Sequence, residues 1–364
     1  MKLRKTQLAA AVGAALLVSG TAVQAQNLTV QLYGQVNRAL MWADNETQNR
    51  VFHVDGQPSS TRFGIRGTSQ IAPGLRAGAQ IESEMKSNPS NEVTFAAPSQ
   101  GALPGDVVGF AERWLDASFE GAWGRINIGQ GSGAADDAST IDLSGTAIAN
   151  GVAISDWAGA IPFTTPAGVA IPGAAPDTVI NNLDFESRYD RAMYTTPVFG
   201  GFRAQAGFGQ KGNDVVEASV WWTGKVAGDL QAAFGWSEEK TATGAVGSQN
   251  NQTLGGSISW LHTSGFNVTA AYTQSDLSGP AREGTHWYAK LGWKFGQHAV
   301  SAGYYVGEDQ AAIGDEAKAY SVGYVWNPIR WAEIYASYIL FELDRPGVSA
   351  NDITSAQIGT RIRF

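Results

Sequence analysis

Apolar and polar residues alternate along most of this chain with a period of two. Leu75, Ala77, Ala79 and Ile81 alternate with Arg76, Gly78, Gln80 and Glu82. Phe202, Ala204, Ala206 and Phe208 alternate with Arg203, Gln205, Gly207 and Gly209. Leu230, Phe234 and Trp236 follow the same rhythm, as do Phe266, Val268 and Tyr272, and Trp287, Leu291, Trp293 and Phe295. A period of two puts each set on its own face of a strand. One face suits lipid and the other water. Sixteen such runs lie near 28–42, 60–69, 74–85, 111–120, 124–130, 188–196, 201–210, 215–223, 228–238, 252–261, 265–275, 285–295, 298–308, 316–326, 331–342 and 354–364.

The connections alternate in length. Ala72-Pro73-Gly74, residues 121–124, 197–201 and 263–265, and Asn327-Pro328 are short; 43–59, 86–110, 131–187, 239–251, 276–284 and 343–353 are long. An even strand number, tight turns at one end and long loops at the other form the pattern of a transmembrane antiparallel β-barrel. Aromatic residues at run ends (Trp221-Trp222, Trp260, Trp287-Tyr288, Trp331) fall where interfacial girdles belong. The most apolar later stretch, 151–176, is interrupted by Pro162, Pro166, Pro172 and Pro176, which a helix interior does not tolerate. A closed barrel is then the way for the backbone to stay hydrogen-bonded in lipid. The expected fold is all-β, a barrel of about 16 strands. A secreted β-sandwich or β-helix also alternates, but its water face would carry Lys and Glu. Here that face is rich in Gly, Ala, Ser and Gln, and no fixed 20–50-residue repeat is present.

Residues 131–187 do not alternate. A structureless insert of this length is functional, disordered or misassigned, and the first reading is preferred: the segment folds into the space the barrel encloses. Met1 to Lys5 is basic, Leu8 to Val18 is apolar but too short to span a bilayer, and Val23-Gln24-Ala25 supplies small residues for cleavage. Residues 1–25 are therefore expected to be a signal peptide, cut near Ala25, and 26–364 a single barrel domain. Cleavage removes three bases and no acid, taking the formal charge from −8 to −11. Such acidity disfavours nucleic acid as a partner. Glycine, 44 of 364 residues, opposes helices, and there is no cysteine for disulfides, thiolate metal sites or nucleophilic catalysis. The four histidines, His53, His262, His286 and His298, show no metal spacing, and neither a Gly-x-Ser-x-Gly elbow nor a phosphate-binding loop occurs. No cofactor, metal or catalytic residue is assigned. A barrel enzyme, as in outer-membrane lipases, is the alternative outside transport.

Several stretches, in order, resemble the general porins of Gram-negative outer membranes. They are Leu32-Tyr33-Gly34; Ser60-Thr61-Arg62-Phe63-Gly64-Ile65-Arg66-Gly67; residues 110–130; Tyr194-Thr195-Thr196-Pro197 with Gly201-Phe202; and Ile358-Gly359-Thr360-Arg361-Ile362-Arg363-Phe364. The resemblance implies a homotrimer of sixteen-stranded channels in the cell outer membrane. Each passively passes small hydrophilic solutes and ions, and assembly machinery recognises the terminal strand ending in Phe364. It also implies that the third long loop, 131–187, narrows the pore, with its acids facing a basic wall. A channel selective for one substrate class is the alternative within transport.

Strand parity then nominates the wall. Arg62 and Arg66 flank outward Phe63 and Ile65, Arg76 lies on a polar face, and Arg113 resembles a lumen arginine of the family. Arg191 has inward parity and Arg188 outward, unless a bulge reverses them; both are carried as candidates. Arg38 has outward parity. On the loop the candidates are Asp136, Asp137, Asp142 and Asp156. The loop is longer than in most of the family and lacks its short acidic-aromatic-glycine motif, which leaves the choice among these acids open. Gln35 stands where some members carry lysine, and Asp116 falls on an outward parity.

Overall fold

The computed structural model describes residues 28–99, 110–240, 251–277 and 282–364. The expected signal peptide lies outside them. Seventeen strands occur among the described residues: β1 (Thr29–Asp44), β2 (Asn49–Asp55), β3 (Arg62–Ala72), β4 (Leu75–Glu84), β5 (Ala111–Gly121), β6 (Gly124–Ser132), β7 (Arg188–Thr195), β8 (Phe202–Lys211), β9 (Asn213–Lys225), β10 (Gly228–Lys240), β11 (Asn251–His262), β12 (Phe266–Leu277), β13 (Arg282–Phe295), β14 (His298–Glu308), β15 (Glu316–Ile329), β16 (Ala332–Asp344) and β17 (Ile353–Arg363). They make sixteen staves, because β2 and β3 lie in line along β1 and form one broken stave. Each stave pairs antiparallel with its chain neighbours, and β17 returns to β1 from Gln35↔Arg363 to Asp44↔Thr354. The sheet closes, and every stave has a partner on both sides, the broken second stave through β3.

The alternation is inside out relative to a water-soluble protein. Leu254, Ile258, Phe234, Leu291, Trp293, Val322 and Tyr338 are exposed on the outer face. Ser257, Ser259, Asn267, Thr269, Ser301, Ser321 and Gln357 are buried within. Aromatic pairs mark two belts: Trp287–Tyr304 and Tyr304–Tyr320 at one level, Trp123–Tyr194 and Trp293–Phe295 at the other. Two of the expected girdle residues face inward instead. Tyr288 is buried and stacks on Tyr305, and Trp221 lies under the Arg203 guanidinium. No described helix is long and apolar enough to cross a membrane.

Two departures from parity matter for the pore. The segment expected as a long loop over 43–59 is a tight turn at Asn45–Gln48 followed by β2. Its alternation is masked because Phe52 and Val54, on the inner face, are also apolar. The break between β2 and β3 is braced from β1. Gln35 Nε2 donates to the Ser59 and Ser60 carbonyl oxygens, and Asn37 Nδ2 donates to those of Gly56 and Ser59. Gln35, which stands where some members of the resembled family carry lysine, is thus a strut across the break. The second departure is a β-bulge: Glu82 pairs with Trp114 but Ser83 with Glu112, leaving Arg113 as the extra residue. From there on the strand's parity is reversed. Asp116, expected to face outward, is buried inside.

At the seam, Gly34 and Phe364 exchange both backbone hydrogen bonds, each at 3.0 Å. A Cβ at Gly34 would lie 2.6 Å from Cζ of Phe364 and 2.9 Å from the Arg62 carbonyl oxygen, whereas one at Gly67 meets nothing within 4 Å. Gly34→Ala is therefore expected to lower the temperature at which the folded barrel unfolds on a heat-modifiable gel, by a strain of about 1–3 kcal/mol. Gly67→Ala is the matched control and should leave it unchanged; equal behaviour of the two contradicts this view of the seam.

Candidate functional site

The segment 131–187 enters the lumen between β6 and β7 and is held at its root by Glu217 of β9. That carboxylate accepts from the Tyr189 hydroxyl at 3.0 Å and from the backbone N–H groups of Ala135 and Glu186, at the two ends of the segment. Gly133 has to be glycine here, since a Cβ would run into Glu217 Oε2. The Gly133 N–H donates to the Ser187 carbonyl at 2.8 Å and closes the base.

Inward-facing polar residues of successive staves then hold the segment against the wall. Ser257 and Ser259 accept from the Ile141 and Leu143 N–H groups at 3.0 and 2.9 Å. Thr146 and Ser301 share a 2.7 Å hydrogen bond, and Asn150 receives one from Ser321. Lys290 of β13, fully buried, pairs with Asp142 and donates to the Asn150 carbonyl at 2.8 Å. Beyond these contacts the segment buries its own apolar core. Ile148, Val152, Trp157, Ile161, Phe163 and Ile180 pack against Phe52, Tyr335, Ile339 and Phe341 of the wall. The apolar, proline-broken stretch thus fills part of the lumen, and its free face borders what remains open.

A cavity of about 390 Å³ lies between that face and the opposite wall. Arg62 and Arg113 line it from the wall, Arg188 from the start of β7, and Asp136, Asp137, Asp142, Asp156 and Asp184 from the segment. Arg188 reaches it against parity because Ser187, with φ of 54°, turns the chain just before the strand. The wall is not purely basic. Arg113 donates from Nε to Glu82 at 2.7 Å and from Nη1 to Glu84 at 3.0 Å, and Lys86 pairs with Glu84 at 3.1 Å. Arg361 donates to Glu333 and, from Nη1, to Ser59 Oγ at 2.7 Å.

The acids differ in state. Asp142 is neutralised by Lys290. Asp137 is open to lumen water yet ringed by protein. Burial and its neighbour Asp136 push its pKa up to about 6. Burial raises Asp156 to about 7, against a small opposing pull from Lys86. Asp184 lies well above the usual carboxylate range, through burial and then repulsion from Asp136 and Asp137.

The other expected wall residues lie elsewhere. Arg66 and Arg76 line a second cavity of about 900 Å³ toward the short-turn end, with Arg125 and Arg203. Arg191 does not reach the constriction. Its buried guanidinium binds Asp116 at 3.0 Å and the Ser132 carbonyl at 2.8 Å, inside the wall. The bulge that turns Asp116 inward supplies this partner. Arg38 is outward and reaches the Ser87 carbonyl at 2.7 Å, beside the break in the second stave. Parity places Glu82 on the water-facing side of its strand, but does not name its partner; Glu84, Lys86 and Glu217 carry no signal in the sequence that marks them out.

Lowering the pH through about 7 and then about 6 should protonate Asp156 and then Asp137, since both pKa values are raised, and so remove negative charge from the cavity. The K⁺ over Cl⁻ permeability ratio is expected to fall as the pH drops through these two values. Asp156→Asn should flatten the upper part of that titration; an unchanged profile in the variant rules Asp156 out as its source.

The match of this chain to known proteins is extensive. Residues 9–344 match the family described as Gram-negative porin. Outer membrane porin protein 32 of Delftia acidovorans is 25% identical over 389 aligned positions, spanning 100% of both chains. An outer membrane porin protein of Bordetella pertussis is 26% identical over 58% of this chain and 49% of its own. Among solved structures, an anion-selective porin from Comamonas acidovorans superposes with a TM-score of 0.65 at 20% identity, covering 93% of this chain and 100% of its own. OmpF of Salmonella typhi, in complex with daunomycin, gives 0.62 at 13%, covering 92% and 97%. The trimer form of OmpT from Vibrio cholerae gives 0.58 at 15%, covering 93% and 100%.

Proposed function

This chain belongs to the Gram-negative porin family, and on that footing we propose how its outer-membrane channel sorts the solutes that diffuse through it. The observation that carries the reading is the single cavity bordered by Arg62, Arg113 and Arg188 on one side and by loop aspartates on the other. Opposed charges across a narrow aqueous gap with low-dielectric walls produce a transverse field. Water and dipolar solutes orient in it, and an apolar solute loses more by displacing that ordered water than a polar one. Arg62, Arg113 and Arg188 form the basic side; Asp136, Asp137, Asp156 and Asp184 form the acidic side. Asp142 acts through its pair with Lys290, as an anchor for the loop. Arg66 and Arg76 draw anions into the lower vestibule, and Arg191 supports the wall.

Relatives named as porins point to a channel rather than an enzyme. Permeation on this reading is passive, needs no cofactor, and favours small hydrophilic solutes and ions. The proposed assembly is a homotrimer in outer-membrane lipid, with residues 1–25 removed on export and the strand ending at Phe364 presented to the assembly machinery. A solved OmpT described as a trimer form supports the oligomer by analogy.

Planar-bilayer recording tests the reading. The native protein should insert with three equal conductance steps, and Arg62→Ala should raise the K⁺ over Cl⁻ ratio. Current in single steps counts against the trimer, and an Arg62→Ala channel with native conductance and selectivity counts against the charged constriction.

A further inference from the structure

The cavity of about 900 Å³ toward the short-turn end is charged differently from the constriction. Its charged lining consists of Arg66, Arg76, Arg125 and Arg203 with Asp116 and Glu120. Asp116 is already committed to the buried Arg191, at 3.0 Å. Glu120 faces Arg76 on one neighbouring strand and Arg125 on the other. None of the four arginines forms an ion pair within 4 Å among the described residues, unlike Arg62, Arg113 and Arg361 higher in the pore.

Two of the four are backed by an aromatic ring. The Arg66 guanidinium lies 4.9 Å from the centre of the Tyr33 ring, and that of Arg203 lies 5.0 Å from the centre of the Trp221 ring. Both rings are fixed in turn. The Tyr33 hydroxyl donates to Glu82 at 2.9 Å, and the Trp221 indole N–H donates to Ser219 Oγ at 2.9 Å. The Nε of Arg203 is buried without a hydrogen-bond partner. A guanidinium backed by a ring is held flat, and its opposite face remains for a second stack. The two stacks stand on β3 and β8, at the ends of the arc of staves that lines the cavity.

We propose that this vestibule binds aromatic carboxylates. Guanidinium groups meet a carboxylate with paired N–H donors, and four arginines against one uncommitted acid supply them. The ring of the ligand then lies on the face of Arg66 or Arg203 that the protein's own ring leaves uncovered. Trp114 adds an apolar wall. The volume falls in the range of small-molecule sites, about 300–1,000 Å³. A saturated ring of the same size and charge meets the N–H donors equally well but is puckered and cannot stack, which separates this site from a general attraction of anions. The inference rests on the channel reading for its consequence, retention of aromatic acids during passage, but not for the binding itself.

Calorimetric titration of terephthalate and of trans-cyclohexane-1,4-dicarboxylate into the purified chain in detergent tests binding without reference to conduction. Terephthalate should bind about threefold more tightly or better. In planar bilayers it should halve the current at a correspondingly lower concentration. Arg66→Lys/Arg203→Lys keeps both charges and removes both flat faces. Checked for folding by gel mobility, this variant should bind the two acids alike, with the affinity of the native chain for the saturated one. Equal binding of the two acids by the native chain overturns the proposal, as does binding of neither, or a preference for terephthalate that survives in the double variant. A native channel that conducts but treats the two acids alike leaves the porin reading intact while this inference fails. A native chain that prefers terephthalate but passes no current fails the porin reading alone.

Discussion

Backbone hydrogen bonding in lipid is the constraint on which the rest of this molecule depends. An unpaired N–H or C=O in hydrocarbon costs several kcal/mol, so sixteen staves have to end where they began. The return of β17 to β1 meets that demand. It also explains the tolerance for a broken second stave. Residues between β2 and β3 leave the sheet, but the side chains of Gln35 and Asn37 take over the hydrogen bonding that the ladder gives up. The break lies at the constriction, where Gln57–Ser60 join the cavity wall.

Closure creates an interior that is neither core nor solvent, and the inserted loop divides it. On one side the loop packs an apolar core against β2 and the late staves, with serines, threonines and Lys290 satisfying its backbone and its Asp142. On the other side it leaves carboxylates facing a wall of arginines. The two halves are interdependent. Charges can be held unpaired in the gap because burial elsewhere fixes the loop, and that fixed position keeps them from collapsing onto Arg113 and Arg188. The arginine–glutamate pairs of β3, β4 and β5 limit the wall's charge in the same manner, so the field proposed for the gap would arise from a difference of charges and not from a uniformly basic surface.

The staves were legible in the sequence because lipid on one face and small polar groups on the other keep the period of two clean. Legibility fails wherever the inner face ceases to be polar. In β2, Phe52 and Val54 meet the loop's core, and the alternation of Val51-Phe52-His53-Val54 disappears from view. It fails again where one residue is inserted: the bulge at Arg113 keeps that arginine inward but turns Asp116 inward as well, and so converts Arg191 from a candidate pore base into the partner of a buried acid. The position of the loop aspartates followed from the family resemblance. Which of them is paired did not, because Lys290 lies 148 residues from Asp142 and only the folded barrel brings the two together.

The most direct test of the account is whether the loop occupies the lumen against β14. The chain has no cysteine, so a pair introduced at Thr146 and Ser301, whose hydroxyl oxygens are 2.7 Å apart, can be read without interference. The account predicts that Thr146→Cys/Ser301→Cys forms an intramolecular disulfide in the folded barrel and conducts alike before and after oxidation. A pair that stays reduced under oxidant, or a conductance that changes once the bond forms, would contradict it.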